Sequence, residues 1–142
     1  MKKSMRRTLA LVLAFALCLS VAALAVEQRD GTYIKNKYAT AKSGNGITVE
    51  FTVIAFSTMT DLGATKVEIK TASGTTVKTY NYTDAGYSDL MGHNCSSYKM
   101  TVSYPGVPGN QYYAVAYLKA VNSEGYAVTT CTSDLVTAVR SS

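Results

Sequence analysis

The stretch GITVEFTVIAF, residues 46–56, decides the fold class of this chain. Apolar side chains occupy every second position along it, namely Ile47, Val49, Phe51, Val53 and Ala55. Because successive side chains of a β-strand point to opposite faces of a sheet, this spacing places all five on one face. The stretch is therefore predicted to be a strand with one face in a hydrophobic core.

Similar short segments recur along the chain, and none has the apolar spacing of a helix. Further strands are predicted at 65–71 and 75–82, which form a hairpin, at 97–104, at 112–121 and 126–131, which form a second hairpin, and more weakly at 32–41 and 135–139. About seven short strands with turn residues between them predict an all-β, antiparallel β-sandwich, with a small barrel as the competing architecture. Residues 83–96 are predicted to be the longest irregular connection, mobile and functional.

The first 25 residues have the order of a secretory signal peptide. The basic start MKKSMRR precedes an uncharged segment from Leu9 to Ala25, and Ala23 and Ala25 provide the small residues of a cleavage site. The uncharged segment is shorter than the roughly 20 residues that span a bilayer comfortably. The sequence therefore predicts secretion with cleavage after Ala25, which would also remove Cys18; an uncleaved anchor is the alternative.

Cleavage would divide the chain into a signal peptide (1–25), a short flexible lead (26–32) and one β-sandwich domain (33–142). The signal peptide contains four of the 14 basic residues and none of the nine acidic ones, so the remainder has a net charge of 10 − 9 = +1. A nearly neutral chain without a Lys/Arg cluster gives no indication of nucleic-acid binding, or of membrane binding after cleavage.

The stretch VSYPGVPGNQYYAVAYLKAVNSEG, residues 102–125, resembles the second half of a fibronectin type III or immunoglobulin-like domain. Tyr104 precedes a corner rich in proline and glycine at 105–109, and Tyr112 or Tyr113 opens the next strand. The resemblance implies that this tyrosine packs its ring in the core and that its hydroxyl bonds a nearby loop carbonyl. The chain after the signal peptide also resembles small secreted bacterial single-domain proteins with this sandwich and no assigned activity.

Cys95 and Cys131 are the two cysteines left after cleavage. Because secreted thiols meet an oxidising environment, they are predicted to form a disulfide that closes 131 − 95 + 1 = 37 residues. The alternative is a nucleophilic site, since His93 lies two residues before Cys95 and residues i and i+2 of a strand share a face. Neither cysteine has the sequence context of a known catalytic motif, so no catalytic residue is predicted.

Other candidate chemistry in the sequence is weak. Asp84, Asp89, His93 and Cys95 lack the ligand spacing of zinc or calcium motifs, so neither a metal site nor a cofactor is predicted. Glu50 and Glu68 could in principle act as a pair of carboxylates in glycoside hydrolysis. Both lie among Thr and Lys at outward positions of predicted strands, which favours solvated surface charges.

Tyrosine is the one enriched residue type, with 11 in the chain. Tyr80, Tyr82 and Tyr87 lie close together near the predicted long connection and are predicted to form a contact patch, because exposed tyrosines bind proteins and sugars well. The sequence thus favours a secreted, non-catalytic module that binds an unknown protein or glycan at the cell surface or has a structural role there. The alternatives are a carbohydrate-binding module that uses these tyrosines and a secreted Cys/His enzyme.

Overall fold

The computed structural model describes residues 33–140, which form an all-β antiparallel fold. Its strands are β1 (Ile34–Ser43), β2 (Ile47–Thr71), β3 (Thr76–Asn81), β4 (Met91–Tyr104), β5 (Gln111–Asn122), β6 (Gly125–Thr132) and β7 (Val136–Thr137), and a single 3₁₀ turn (Ser88–Leu90) precedes β4. The predicted signal peptide, the predicted lead at 26–32 and Cys18 lie outside the described residues.

Strand β2 organises the whole sheet because it pairs with four other strands. Residues 47–55 lie between β1 and β4, whereas residues 61–71 lie between β5 on one side and the start of β4, followed by β3, on the other. The sequence predicted two separate strands here, 46–56 and 65–71. The structure joins them into one strand of 25 residues, with an irregularity between Ile54 and Met59 where its pairing with β4 shifts.

The predicted alternation of buried and exposed side chains is confirmed. The inward side chains of β2 are almost fully buried, namely Ile47, Val49, Phe51, Val53, Ala55, Val67 and Ile69. They meet Met100 and Val102 of β4 and the small or apolar residues of β5, including Ala114 and Leu118, in one core cluster. The core therefore lies on the concave face of a single curled sheet.

The seven strands form one continuous sheet that curls into a half-barrel. Its path runs β1-β2-β5-β6, with β3 and β4 on β2 and with β7 on β5. Within residues 33–140, β1 pairs only with β2 and β6 pairs only with β5. Both strands are therefore edges, and the curl brings them toward each other: the Lys37 ammonium of β1 donates a hydrogen bond to the Thr129 hydroxyl of β6.

The predicted irregular connection at 83–96 is shorter in the structure. Strand β4 begins at Met91 rather than at Ser97, because Met91, Gly92, His93 and Cys95 pair with residues 59–63 of β2. Local sequence carries little strand signal in this segment, so its extended form depends on the long partner strand. The last strand is also shorter than predicted, since β7 has only two residues, although Val139 makes an isolated bridge with Gly46.

The corner before β5 has the buried tyrosine that the resemblance implied, but its hydroxyl bonds a backbone N–H rather than a loop carbonyl. Tyr112 is buried, its ring lies 5.3 Å from that of Tyr104 in an edge-to-face arrangement, and its hydroxyl accepts the Val107 N–H at 3.0 Å. Gly106 closes this corner with φ of +59°, and a Cβ there would lie 2.8 Å from the Tyr112 ring. Only glycine meets both constraints without rearrangement.

Candidate functional site

The predicted tyrosine patch is largely structural. Tyr80 is only 5% exposed and donates its hydroxyl proton to the Ser103 carbonyl at 2.8 Å. Its ring packs against that of half-buried Tyr87, with centroids 5.0 Å apart. Tyr82 is 39% exposed. The three side chains therefore do not form a flat, solvent-facing strip.

A small cavity lies beside these tyrosines. It has a volume of about 180 Å³, and Tyr80 and Tyr87 line it together with polar residues that include Asp89, Thr101 and Ser103. Burial, with the nearby Tyr87 and Tyr104, raises the pKa of Tyr80, whose hydroxyl proton is already donated to the Ser103 carbonyl. The cavity is smaller than the roughly 300–1,000 Å³ typical of small-molecule sites.

The predicted disulfide between Cys95 and Cys131 is absent, and both are free thiols. Cys95 lies on β4 opposite Met59 of β2, whereas Cys131 lies on β6 opposite Ala116 of β5, which in turn faces Val67 of β2. Two strands thus separate the cysteines across the sheet. They are also offset along β2 by 67 − 59 = 8 positions, about 26 Å of extended strand. A disulfide needs Cα atoms within about 7 Å.

The cysteines are also poorly suited to nucleophilic chemistry. Cys131 points into the core, whereas Val128 on the same strand is exposed. Burial raises the pKa of both thiols, and the Lys37 charge only partly opposes this at Cys131. A raised thiol pKa lowers the fraction of reactive thiolate at neutral pH.

His93 is positioned by an aspartate rather than by Cys95. Its exposed ring places Nδ1 2.6 Å from Oδ1 of Asp61 on β2. Asn94, between His93 and Cys95, has a left-handed backbone with φ of +51°. That conformation breaks the regular alternation on which the expected Cys–His contact depended.

The candidate acidic residues are dispersed. Within residues 33–140, no group of three or more His, Cys, Asp or Glu side chains is arranged to hold a metal ion. Glu50 lies in the first half of β2 and pairs with Lys99 at 3.0 Å. Glu68 lies in the second half and accepts hydrogen bonds from Lys66 at 2.9 Å and from the Tyr117 hydroxyl at 3.0 Å. Separation along β2 therefore rules out a shared Glu50–Glu68 carboxylate site.

A groove that sequence reasoning missed runs between the edge strands β1 and β6. Its volume is about 500 Å³, and it is lined by Ile34, Lys35, Asn36, Lys37, Ala127, Val128 and Thr129. Both walls are edge strands, so unpaired backbone groups adjoin it. The strand sequences could not identify this groove, because which strands become edges depends on the sheet order and not on local pattern.

The hydrogen-bond pattern shows which backbone groups of β6 face away from β5. Ser133, just beyond β6, donates its N–H to the Ala114 carbonyl at 2.9 Å. Because the backbone groups of successive residues point to opposite edges of a strand, the N–H and C=O groups of Tyr126, Val128 and Thr130 point away from β5. They point to the side on which the groove lies.

Comparison with known proteins assigns no activity to these features. The chain matches no known protein-family profile, and no curated protein is significantly similar to it in sequence. Within residues 33–140, no helix is both long and apolar enough to cross a membrane.

Proposed function

We propose that the chain is a secreted, non-catalytic module that binds a protein or glycan partner outside the cell or at its surface. The groove between β1 and β6 carries this proposal, because it combines a cleft of about 500 Å³ with the unpaired edge of a regular strand. Sheet edges of this kind bind extended segments of other proteins through their backbone groups. Secretion rests on the order of basic, apolar and small residues in the first 25 positions.

We further infer that the curled sheet is a β-sandwich of the fibronectin type III or immunoglobulin-like kind. Strand β1, the first half of β2 and β4 would form one layer, and β3, the second half of β2, β5 and β6 the other. With the two halves of β2 counted separately and the two-residue β7 left out, the antiparallel pairings form groups of three and four, which supports this arrangement. The buried corner tyrosine, Tyr112, supports it independently.

The proposed absence of catalysis is supported by the environments of the reactive side chains. Burial raises the pKa of both described thiols, and His93 bonds Asp61 rather than Cys95. Glu50 and Glu68 are each held by lysines in different halves of β2. A Cys/His or two-carboxylate reaction needs these groups to converge on one substrate position.

The proposal is tested by capture of cell-surface protein and glycan on the immobilised chain. Val128→Asp would place a charge at the groove, and Val77→Asp is the matched control, because Val77 is a similarly exposed valine on the distant edge strand β3. We expect the wild type and Val77→Asp to retain the same partner and Val128→Asp to lose it. A wild-type chain that retains no protein or glycan would contradict the proposal.

Carbohydrate binding at the tyrosines is the second candidate. The cavity beside Tyr80 and Tyr87 favours it, since polar groups of Asp89 and Ser103 lie next to aromatic rings there and Tyr82 is exposed nearby. Aromatic faces combined with a few polar groups suit a sugar ring. Under this candidate, Tyr82→Ala would weaken binding on a glycan array while Val128→Asp would not.

A further inference from the structure

The two walls of the groove differ in charge. The β1 wall contributes two lysines, Lys35 and Lys37, and no acidic residue from 33–140 lines the groove. Within residues 33–140, neither lysine forms an ion pair; Lys37 donates instead to the neutral hydroxyl of Thr129 across the groove. Among the described residues, the groove therefore has two positive charges without a carboxylate partner, and a bound carboxylate would replace the Lys37–Thr129 hydrogen bond.

The two walls also differ in how readily they can accept another strand. In β1, Ile34 and Asn36 face adjacent residues of β2, so Lys35 is an extra residue in a bulge. A bulge and lysines on an edge strand oppose further pairing. Strand β6 has neither, since it pairs with β5 without a register shift from Gly125 to Thr132 and contains no charged residue. An added strand would therefore pair with β6.

We propose that this groove binds an extended acidic segment of a partner protein, which pairs with the free edge of β6 while its carboxylates contact Lys35 and Lys37. This inference rests on the proposed binding function and adds the chemical class of the partner. Tyr126, Val128 and Thr130 supply the outward backbone N–H and C=O groups for the pairing. The lysines supply selectivity, because ion pairs across an interface discriminate partners by charge.

The direct test uses two blocked eight-residue peptides, one of alternating Val and Glu and one of alternating Val and Lys, in calorimetric titrations. We expect the acidic peptide to bind the wild-type chain at least about tenfold more tightly, the scale of one or two charge-assisted contacts. Bound acidic peptide should also slow amide hydrogen exchange at Val128 and Thr130 more than at Ala127 and Thr129, whose N–H groups face β5. Equal affinity for both peptides would overturn the assignment.

Charge-reversal variants separate the groove from general electrostatics. Lys35→Glu/Lys37→Glu should reverse the preference to the basic peptide. Lys42→Glu, on the same strand but outside the groove, should change either affinity by less than about twofold. Val128→Pro removes one outward N–H without removing a bond to β5, and it should abolish slowed exchange along the edge. An unchanged preference in the double variant would show that the lysines do not select the partner.

Further outcomes would show that the chain itself fills the groove, or would separate a failure of this inference from a failure of the proposed binding function. The chain's own residues 26–32 contain Glu27 and Asp30; if the acidic peptide binds only after Glu27→Gln/Asp30→Asn, the chain itself fills the groove and the assignment to a partner is wrong. If the wild type captures a surface partner that Lys35→Glu/Lys37→Glu still retains, this inference fails while the proposed binding function stands. If neither peptide binds and nothing is captured, both fail.

Discussion

Phe51 and Phe56 show how differently the two faces of the curled sheet are used. They lie five positions apart on β2, yet Phe51 is fully buried on the inner face and Phe56 is 65% exposed beside the irregularity in β2. The same contrast holds for Tyr112, buried inside, and Tyr113, half-buried outside, which are neighbours in sequence. Residue type alone therefore does not decide whether an aromatic side chain is buried. The face of the sheet to which its position directs it decides this.

The outer face and the edges have polar interactions where the inner face has packing. Lys66 lies 4.2 Å from the centre of the Tyr117 ring, and Glu68 joins these two residues and Lys70 in one network on the outer surface. Such contacts at a surface contribute little to stability. We therefore expect substitutions to destabilise the fold mainly from inside, which leaves the outer face and edges free to serve recognition.

The largest difference in stability loss is expected between Phe51→Ala and Phe56→Ala. Removing the buried ring leaves a cavity and should lower the free energy of unfolding by roughly 3–5 kcal/mol. Removing the exposed ring should change it by no more than about 0.5 kcal/mol. Chemical denaturation of both variants gives the two values directly. Similar losses would mean that Phe56 also packs into the fold.

Cys131→Ser and Cys95→Ser test the same contrast and the absence of the disulfide together. Cys131→Ser places a hydroxyl in the core and should cost roughly 1–3 kcal/mol, whereas half-buried Cys95→Ser should cost less. Thiol titration of the denatured protein should find both of these thiols free. A disulfide would instead make the two variants equally unstable, by roughly 3–4 kcal/mol under oxidising conditions.

A smaller difference is expected between Tyr112→Phe and Tyr113→Phe. Tyr112→Phe removes the acceptor of the Val107 N–H, which should cost about 1 kcal/mol, the net value of one hydrogen bond. Val107 is exposed, so water can replace part of the bond. Within residues 33–140 the Tyr113 hydroxyl has no hydrogen-bond partner, and Tyr113→Phe should leave the thermal midpoint nearly unchanged.

The smallest effect should come from Glu68→Gln, and it depends on pH. The hydrogen bond from Lys66, aided by those from Tyr117 and Lys70, lowers the pKa of Glu68 although burial opposes the shift. A lowered carboxylate pKa stabilises the fold above the unfolded-state pKa of about 4.3, and this contribution is lost as pH falls through the folded-state value. The free energy of unfolding of the wild type should therefore exceed that of Glu68→Gln by less than about 1 kcal/mol at pH 7.

The difference in the free energy of unfolding between the wild type and Glu68→Gln should shrink toward zero in acid. Glu50→Gln is the control, because its carboxylate pairs with exposed Lys99 and should matter less. Denaturation curves at pH 7 and at about pH 3, below the unfolded-state pKa, would measure the change. A constant difference at both values would mean that ionised Glu68 does not stabilise the fold.

Local pattern was sufficient to predict the well-packed strands. Strict alternation identified the inner face of residues 47–55, and the two hairpins were found where short turn segments separate such stretches. Pattern failed at residues 57–63 and 91–96, which lack alternation. In the structure, residues 59–63 pair with residues 91–95, and residues 61–63 also pair with β5. What makes these residues extended is therefore the strand with which they pair, and not their own sequence.

The candidate site was harder to predict than the fold for the same reason. Tyr80 was chosen for its residue type, but its burial follows from its place opposite Val67 on β2. The disulfide was inferred from the number of cysteines, whereas their separation depends on which strands lie between them. Lys35 and Lys37 gave no signal in the sequence, because two lysines on a strand are ordinary until the opposite wall of a groove is known.

The length of β2 also has a consequence for how the chain folds. Its second half meets β3 through a short turn, with Lys70 opposite Thr76, but its first half pairs with β4, where Ile47 is opposite Tyr104, 104 − 47 = 57 residues later. Contacts so distant in sequence form slowly, because a long loop must close first. Until then GITVEFTVIAF, the most regular apolar segment of the chain, is exposed to other chains. Slow refolding at high protein concentration should therefore lose material to aggregation through this segment.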